Sequence, residues 1–149
     1  MMPMEGTEIV LRDLVDYYCS LYLYDNARFF AERLFYSSPK SDHLLLLAKC
    51  YRGQGKLKQV YHLLRHNESP ENRYHFALVC LELGKYAEAQ GSLLSSNIGH
   101  PNDLSAADVA AIPGGAAGLY ILGMVCRREH RREFAISYFR KALEVTANN

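Results

Sequence analysis

The chain has 149 residues, nearly half of them apolar, no tryptophan and a formal net charge of +1 at neutral pH. That length suits one domain with a sizeable core, and so small a charge gives no general pull toward nucleic acid or an acidic partner. No apolar run approaches the ~20 residues of a membrane helix, and the opening MMPMEGTE has neither the basic nor the apolar region of a secretory leader.

In chain order, residues 1–7 read as a short disordered lead. The stretch IVLRDLVDYYCSLYL, 9–23, contains no Gly or Pro and follows Thr7 and Glu8, so it reads as a helix. A second helix, ARFFAERLFY, takes Asp25 or Asn26 as its cap and stops before Ser37-Ser38-Pro39. The next pair starts near Ser41, turns at Gly55, continues as LKQVYHLLRH and breaks at Ser69-Pro70. A third, ENRYHFALVCLELGKYAEAQGSLL, turns at Gly84. Residues 95–115 then read as an inserted surface loop within the same domain, its centre DLSAADVAA able to form a short helix. The last pair runs from Ala116 to Asn149.

The last pair sets the register. With Ala116 as position 1, Leu119, Leu122 and Gly123 fall at positions 4, 7 and 8, and Ala135, Phe139 and Ala142 at 20, 24 and 27. This is the spacing of the 34-residue tetratricopeptide (TPR) repeat, in which small residues let two antiparallel helices approach and large ones fill the space around them. The other pairs fit the same frame through Ala27, Ala48, Val60, Ala77 and Ala89, with Val15 in place of a small residue at position 8. One hairpin cannot bury both faces, so the pairs must stack. The expectation is an all-α, TPR-like α-solenoid with a right-handed superhelix. Four antiparallel pairs, about 8–40, 41–69, 70–94 and 116–149, form one domain over 8–149.

Candidate chemistry is thin. His62 and His66 have the i, i+4 spacing of two zinc ligands, but HLLRH lacks the intervening Glu base, which favours two surface histidines. Cys80 and Cys126 share position 11 and read as small buried hydrophobes. Cys19 and Cys50 have no CxxC partner, and four cysteines in such a chain point to reduced thiols inside the cell. Pro113-Gly114-Gly115-Ala116-Ala117-Gly118 lacks the Lys-Ser/Thr of a phosphate loop and reads as a sharp turn into the fourth pair. Arg127, Arg128, His130, Arg131 and Arg132 form a basic turn with no alternating aromatic platform, which favours a solvated turn over a nucleic-acid site. No catalytic, metal or cofactor residue is assigned, and the chain reads as a non-enzyme.

Binding remains. In a TPR stack the first helices line a concave groove, here through Leu45, Lys49 and Arg52, then Tyr74, Leu78 and Leu81, then Tyr120, Met124, Arg127 and Arg128. Its centre is apolar and aromatic, which suits an apolar helix better than a C-terminal carboxylate. On the first helix Arg12, Asp13, Asp16 and Ser20 make one narrow polar stripe, while Leu14, Tyr17, Tyr18, Leu21, Tyr22 and their apolar neighbours cover most of the rest. Such a helix requires burial on more than one side. Deep packing within its own stack and docking on a partner both meet that requirement.

The ordered stretches YLYDNARFFAERLF, LLLLAKCYRGQGKLKQVYHLLR, NRYHFALVCLELGKYAEAQGSLL and IPGGAAGLYILGMVCRREHRREFAISYFRKAL carry a resemblance. Together they resemble the N-terminal TPR region of the cell-division-cycle-twenty-seven family of the anaphase-promoting complex. The resemblance implies a non-catalytic scaffold of a cell-cycle ubiquitin ligase, nuclear and cytoplasmic, without cofactor, nucleic acid or membrane. It implies a homodimer in which each protomer's first helices enter the partner's groove, alongside other subunits of the complex. The family has a second, longer TPR array whereas this chain stops at Asn149, so no tail-binding residue is carried over, and the apolar end of the fourth pair lacks a following helix. The alternative is a monomeric TPR adaptor holding an apolar helical or extended peptide in its groove.

Overall fold

The computed structural model describes residues 3–94 and 99–148, with side chains from Gly6 onward. Among them are nine α-helices and no strand: α1 (Pro3–Ser20), α2 (Tyr24–Ser37), α3 (Ser41–Gly53), α4 (Leu57–Leu64), α5 (Pro70–Glu82), α6 (Tyr86–Leu93), α7 (Ala106–Ala111), α8 (Ala116–Arg128) and α9 (Arg132–Ala147). The first helix thus begins at Pro3, not after a lead of seven residues. Its opening proline is tolerated because the first-turn N–H groups have no intrahelical partner anyway. The chain divides into two compact units, residues 1–67 and 68–149, where the sequence suggested one domain. The first holds the pairs α1/α2 and α3/α4, and the second holds α5/α6, α7 and α8/α9.

One turn recurs in all four pairs. Tyr22, Gly55, Gly84 and His130 occupy position 15 and are left-handed, with φ of 61°, 76°, 77° and 63°. The following N–H, of Leu23, Lys56, Lys85 or Arg131, donates to the carbonyl five residues back, at 2.8–2.9 Å. The N–H at position 15 donates to position 12 at 2.9–3.2 Å. These two bonds are a Schellman motif, which satisfies the last carbonyls of the first helix and reverses the chain. The position-16 carbonyl then accepts from position 20 and opens the second helix. This backbone arrangement replaces the side-chain cap expected from Asp25 or Asn26, since α2 starts at Tyr24 with no side-chain bond at its cap.

The helix pairs close on complementary volumes. Positions 8 and 24 hold Val15 with Ala31, Ala48 with Leu64, Ala77 with Leu93 and Gly123 with Phe139. A Cβ on Gly123 would overlap the Phe139 ring, so the smallest residue faces the largest. In the first pair the volumes are reversed, and Val15 and Ala31 are fully buried together with Ala27, Leu47 and Cys50. That exchange explains why a β-branched residue fits where the motif asks for a small one.

The insertion does not stand clear as a surface loop. Pro101, Leu104, Ile112 and Pro113 are buried, and the His100 ring meets Phe134 of α9 edge-on at 4.6 Å. The short α7 is held by a capping box, Ser105 accepting from the Asp108 N–H at 3.1 Å and Asp108 from the Ser105 N–H at 2.9 Å. Gly114 and Gly115 both have positive φ as the chain swings into α8, as expected of the PGG turn. Residues 95–98 of the insertion lie outside the described residues.

Candidate functional site

The apolar girth of α1 is divided by the structure. Val15 is fully buried and Leu11, Leu14, Tyr18 and Cys19 are half-buried, with the Tyr18 ring stacked on Phe30 at 5.7 Å. Val10, Tyr17 and Leu21 lie at i, i+7 and i+11, which places them on one stripe beside the polar one. They are 57%, 58% and 48% exposed. Tyr22 extends the stripe into the turn and is 79% exposed. A non-glycine residue in the left-handed region costs of order 1–2 kcal/mol, and this ring makes an edge contact with Tyr24 at 6.3 Å. Of the five residues proposed on the first helix, Tyr17, Leu21 and Tyr22 are exposed, while Leu14 and Tyr18 are half-buried, Tyr18 against the unit's core.

The expected groove residues separate in the same way. In the first unit Leu45 is buried, Lys49 is exposed and Arg52 half-exposed. In the second unit Leu81 is buried and Tyr74, Leu78 and Met124 are half-buried, with Tyr74 packed close over Gly114. Leu45 and Leu81 are therefore core residues, a correction to the groove reading. Tyr120 and Arg127 are exposed. The second unit also has an open, largely apolar cleft of about 410 Å³ lined by Ala116, Ala117, Tyr120, Phe139, Ala142, Leu143 and Thr146. Its rim residues Tyr120 and Leu143 are 55% and 70% exposed. Phe139 and Ala142 were expected only as internal packing. The same repeat position, 27, holds Leu34 in the first pair, where it is fully buried, and Ala142 in the last, where it is half-buried.

Two largely exposed ion pairs supplement the apolar packing of α1. Arg12 donates to Asp42 at 2.9 Å and Lys40 to Glu8 at 3.3 Å. The Arg12 hydrogen bond holds the Asp42 carboxyl below its ordinary range, and the Ser38 hydroxyl does the same for Glu8. Cys80 and Cys126 are buried as expected, and burial pushes the Cys80 thiol up to about 12. Sequence spacing missed one association: Cys19 and Cys50, 31 residues apart, bring their sulfurs to 3.9 Å. Burial raises both thiols, Cys50 the more strongly, which keeps them protonated and unreactive. His62 and His66 are both exposed, and among the described residues no group of three or more His, Cys, Asp or Glu could hold a metal ion. The arrangement presents apolar and basic surface among the described residues.

Residues 20–96 match the family described as anaphase-promoting complex, cyclosome, subunit 3. The chain belongs to that family. The plant relative Cell division cycle protein 27 homolog A of Arabidopsis thaliana is 35% identical over 91% of this chain, and the Homo sapiens Cell division cycle protein 27 homolog is 37% identical over 52%. The chain spans 18% and 10% of the length of these two curated relatives. The solved structure titled "Crystal structure of APC/C hetero-tetramer Cut9-Hcn1" superposes with a TM-score of 0.77 over 93% of this chain and 26% of that one, at 20% identity. That likeness shows the fold, the TPR-like α-solenoid expected from the repeat register. As a subunit 3 family member, the chain carries the matched stretch, 20–96, across the α1–α2 turn and the helices from α2 to α6.

Proposed function

We propose that this chain is part of a non-catalytic TPR scaffold subunit of the anaphase-promoting complex, a cell-cycle ubiquitin ligase of nucleus and cytoplasm, and that it joins two copies of itself through α1. The observation that carries the self-association is the exposed stripe of Val10, Tyr17, Leu21 and Tyr22. Contiguous exposed apolar side chains mark interaction surfaces, and aromatic side chains are over-represented among the residues that anchor interfaces. Exposure of these side chains, one of them on a strained backbone, has a physical reason if a second copy covers them. A two-fold axis would let one patch serve both chains, with an obligate-type burial of roughly 2,000 Å² or more. Co-expression of two differently tagged copies tests this. Purification through one tag should recover the other in comparable amount, and recovery of one tag alone refutes it.

A second reading has its own support. The open α8/α9 cleft suits the apolar face of a foreign helix, which is what a monomeric TPR adaptor needs. Under that reading substitutions at Tyr120 and Leu143 abolish partner capture, and substitutions at Tyr17 and Leu21 do not.

A further inference from the structure

The turn between α8 and α9 reads Arg127-Arg128-Glu129-His130-Arg131-Arg132-Glu133. Only one of its arginines is engaged. Arg131 donates to Glu129 at 2.7 Å and to Gln90 at 3.2 Å, and its guanidinium lies over the Phe134 ring at 5.4 Å. Arg127, Arg128 and Arg132 are exposed, and none has an ion pair or side-chain hydrogen bond among the described residues. Glu129 is already taken by Arg131, which leaves Glu133 as the one free carboxylate in the turn.

Folding alone does not account for this cluster. Arg127 and Arg128 close the last turn of α8, where cations offset the helix dipole. Arg132 opens α9, where a cation opposes the dipole and repels the other three. His130 adds a further basic side chain at the tip in a left-handed conformation that Gly55 and Gly84 take at the same position of other pairs. A glycine there and a neutral residue at 132 would both favour the fold.

We infer that the tip of the α8–α9 hairpin is a docking point for an acidic peptide segment, whose Asp and Glu carboxylates take Arg127, Arg128 and Arg132. The guanidinium fork matches a carboxylate in paired hydrogen bonds. A peptide fits better than nucleic acid for two reasons. The free cations fall within six residues at one turn and do not alternate with an aromatic platform. The chain as a whole carries only +1, too little to steer a long polyanion. None of its residues belongs to the α1 stripe, so the test of one does not depend on the other.

The test is fluorescence anisotropy of a labelled peptide rich in Asp and Glu, spaced by Ser and Gly, titrated with the full chain. Binding should weaken at least about tenfold in the triple variant R127Q/R128Q/R132Q and on raising salt from about 50 to 200 mM. The variant K56Q/K58Q, in another turn, should bind as the parent does. If the triple variant loses helicity, Arg132→Glu alone provides the reading and should still weaken binding severalfold. Absence of binding by the parent chain, unchanged affinity in R132E, tighter binding of a labelled oligouridine, or binding only of a serine-phosphorylated peptide would each overturn the inference.

Discussion

The volume exchange between positions 8 and 24 can be tested by moving it from one pair to another. In the first pair the residues are Val15 and Ala31, and in the last they are Gly123 and Phe139. Gly123→Val alone drives its side chain into the Phe139 ring. Overpacking costs about 1–3 kcal/mol, and a few tenths return because Val is a better helix former than Gly. Phe139→Ala alone leaves a gap over Gly123. Because Phe139 is half-buried, the loss should fall below the 3–5 kcal/mol of a fully buried ring, at about 2 kcal/mol. The double variant recreates the first pair's combination, so its loss should be about 1–2 kcal/mol in place of an additive sum near 3–4, a coupling of about 2 kcal/mol. Urea unfolding followed by far-UV circular dichroism measures all four corners of the cycle. Additivity within about 0.5 kcal/mol would show that the two positions do not share one space and would refute the packing account.

Two further outcomes follow from the same structure. Tyr22→Gly should raise stability by about 1 kcal/mol when urea unfolding is measured on dilute protein, because it relieves a left-handed non-glycine residue; a loss would mean that the ring packs within its own unit. Alkali should destabilise the second unit. Unfolded Cys80 releases its proton near pH 9 and the folded thiol only at about 12, and burial likewise carries Tyr138 from 10 to about 12. Their stabilising contribution is therefore complete below pH 9 and declines as pH rises toward 12, so Cys80→Ala should flatten the fall in melting temperature between pH 8 and 10.5.

The repeat was legible because its spacing is a packing rule written in residue size. Ala27, Val60, Ala89 and Ala135 at position 20 are all buried, and the helix pairs lie close to where that register put them. The turns were half-legible. Gly55 and Gly84 announce left-handed residues, but Tyr22 and His130 do the same work without a sequence signal, because the Schellman bonds impose the conformation on whatever side chain is present. The burial of Leu104 and Ile112 was hidden because isolated apolar residues among Gly, Pro and Asn look like loop until a surface receives them. On α1 the sequence showed an excess of apolar girth but not its division, since Tyr17 and Tyr18 are chemically alike and differ only in which neighbour they meet. The same limit affected Leu45 and Leu81, whose repeat positions suggested a groove and whose side chains are core.

Sedimentation velocity of the full chain at tens of micromolar tests self-association through α1 most directly, comparing the parent with a Tyr17→Ser, Leu21→Ser, Tyr22→Ser variant that spares Tyr18, which packs against the unit's core. Truncating interface anchors typically costs about 2 kcal/mol or more per hot spot, so the account predicts a dimer for the parent and a helical monomer with an unchanged circular dichroism spectrum for the variant. A monomeric parent, or a variant that remains dimeric, would contradict it.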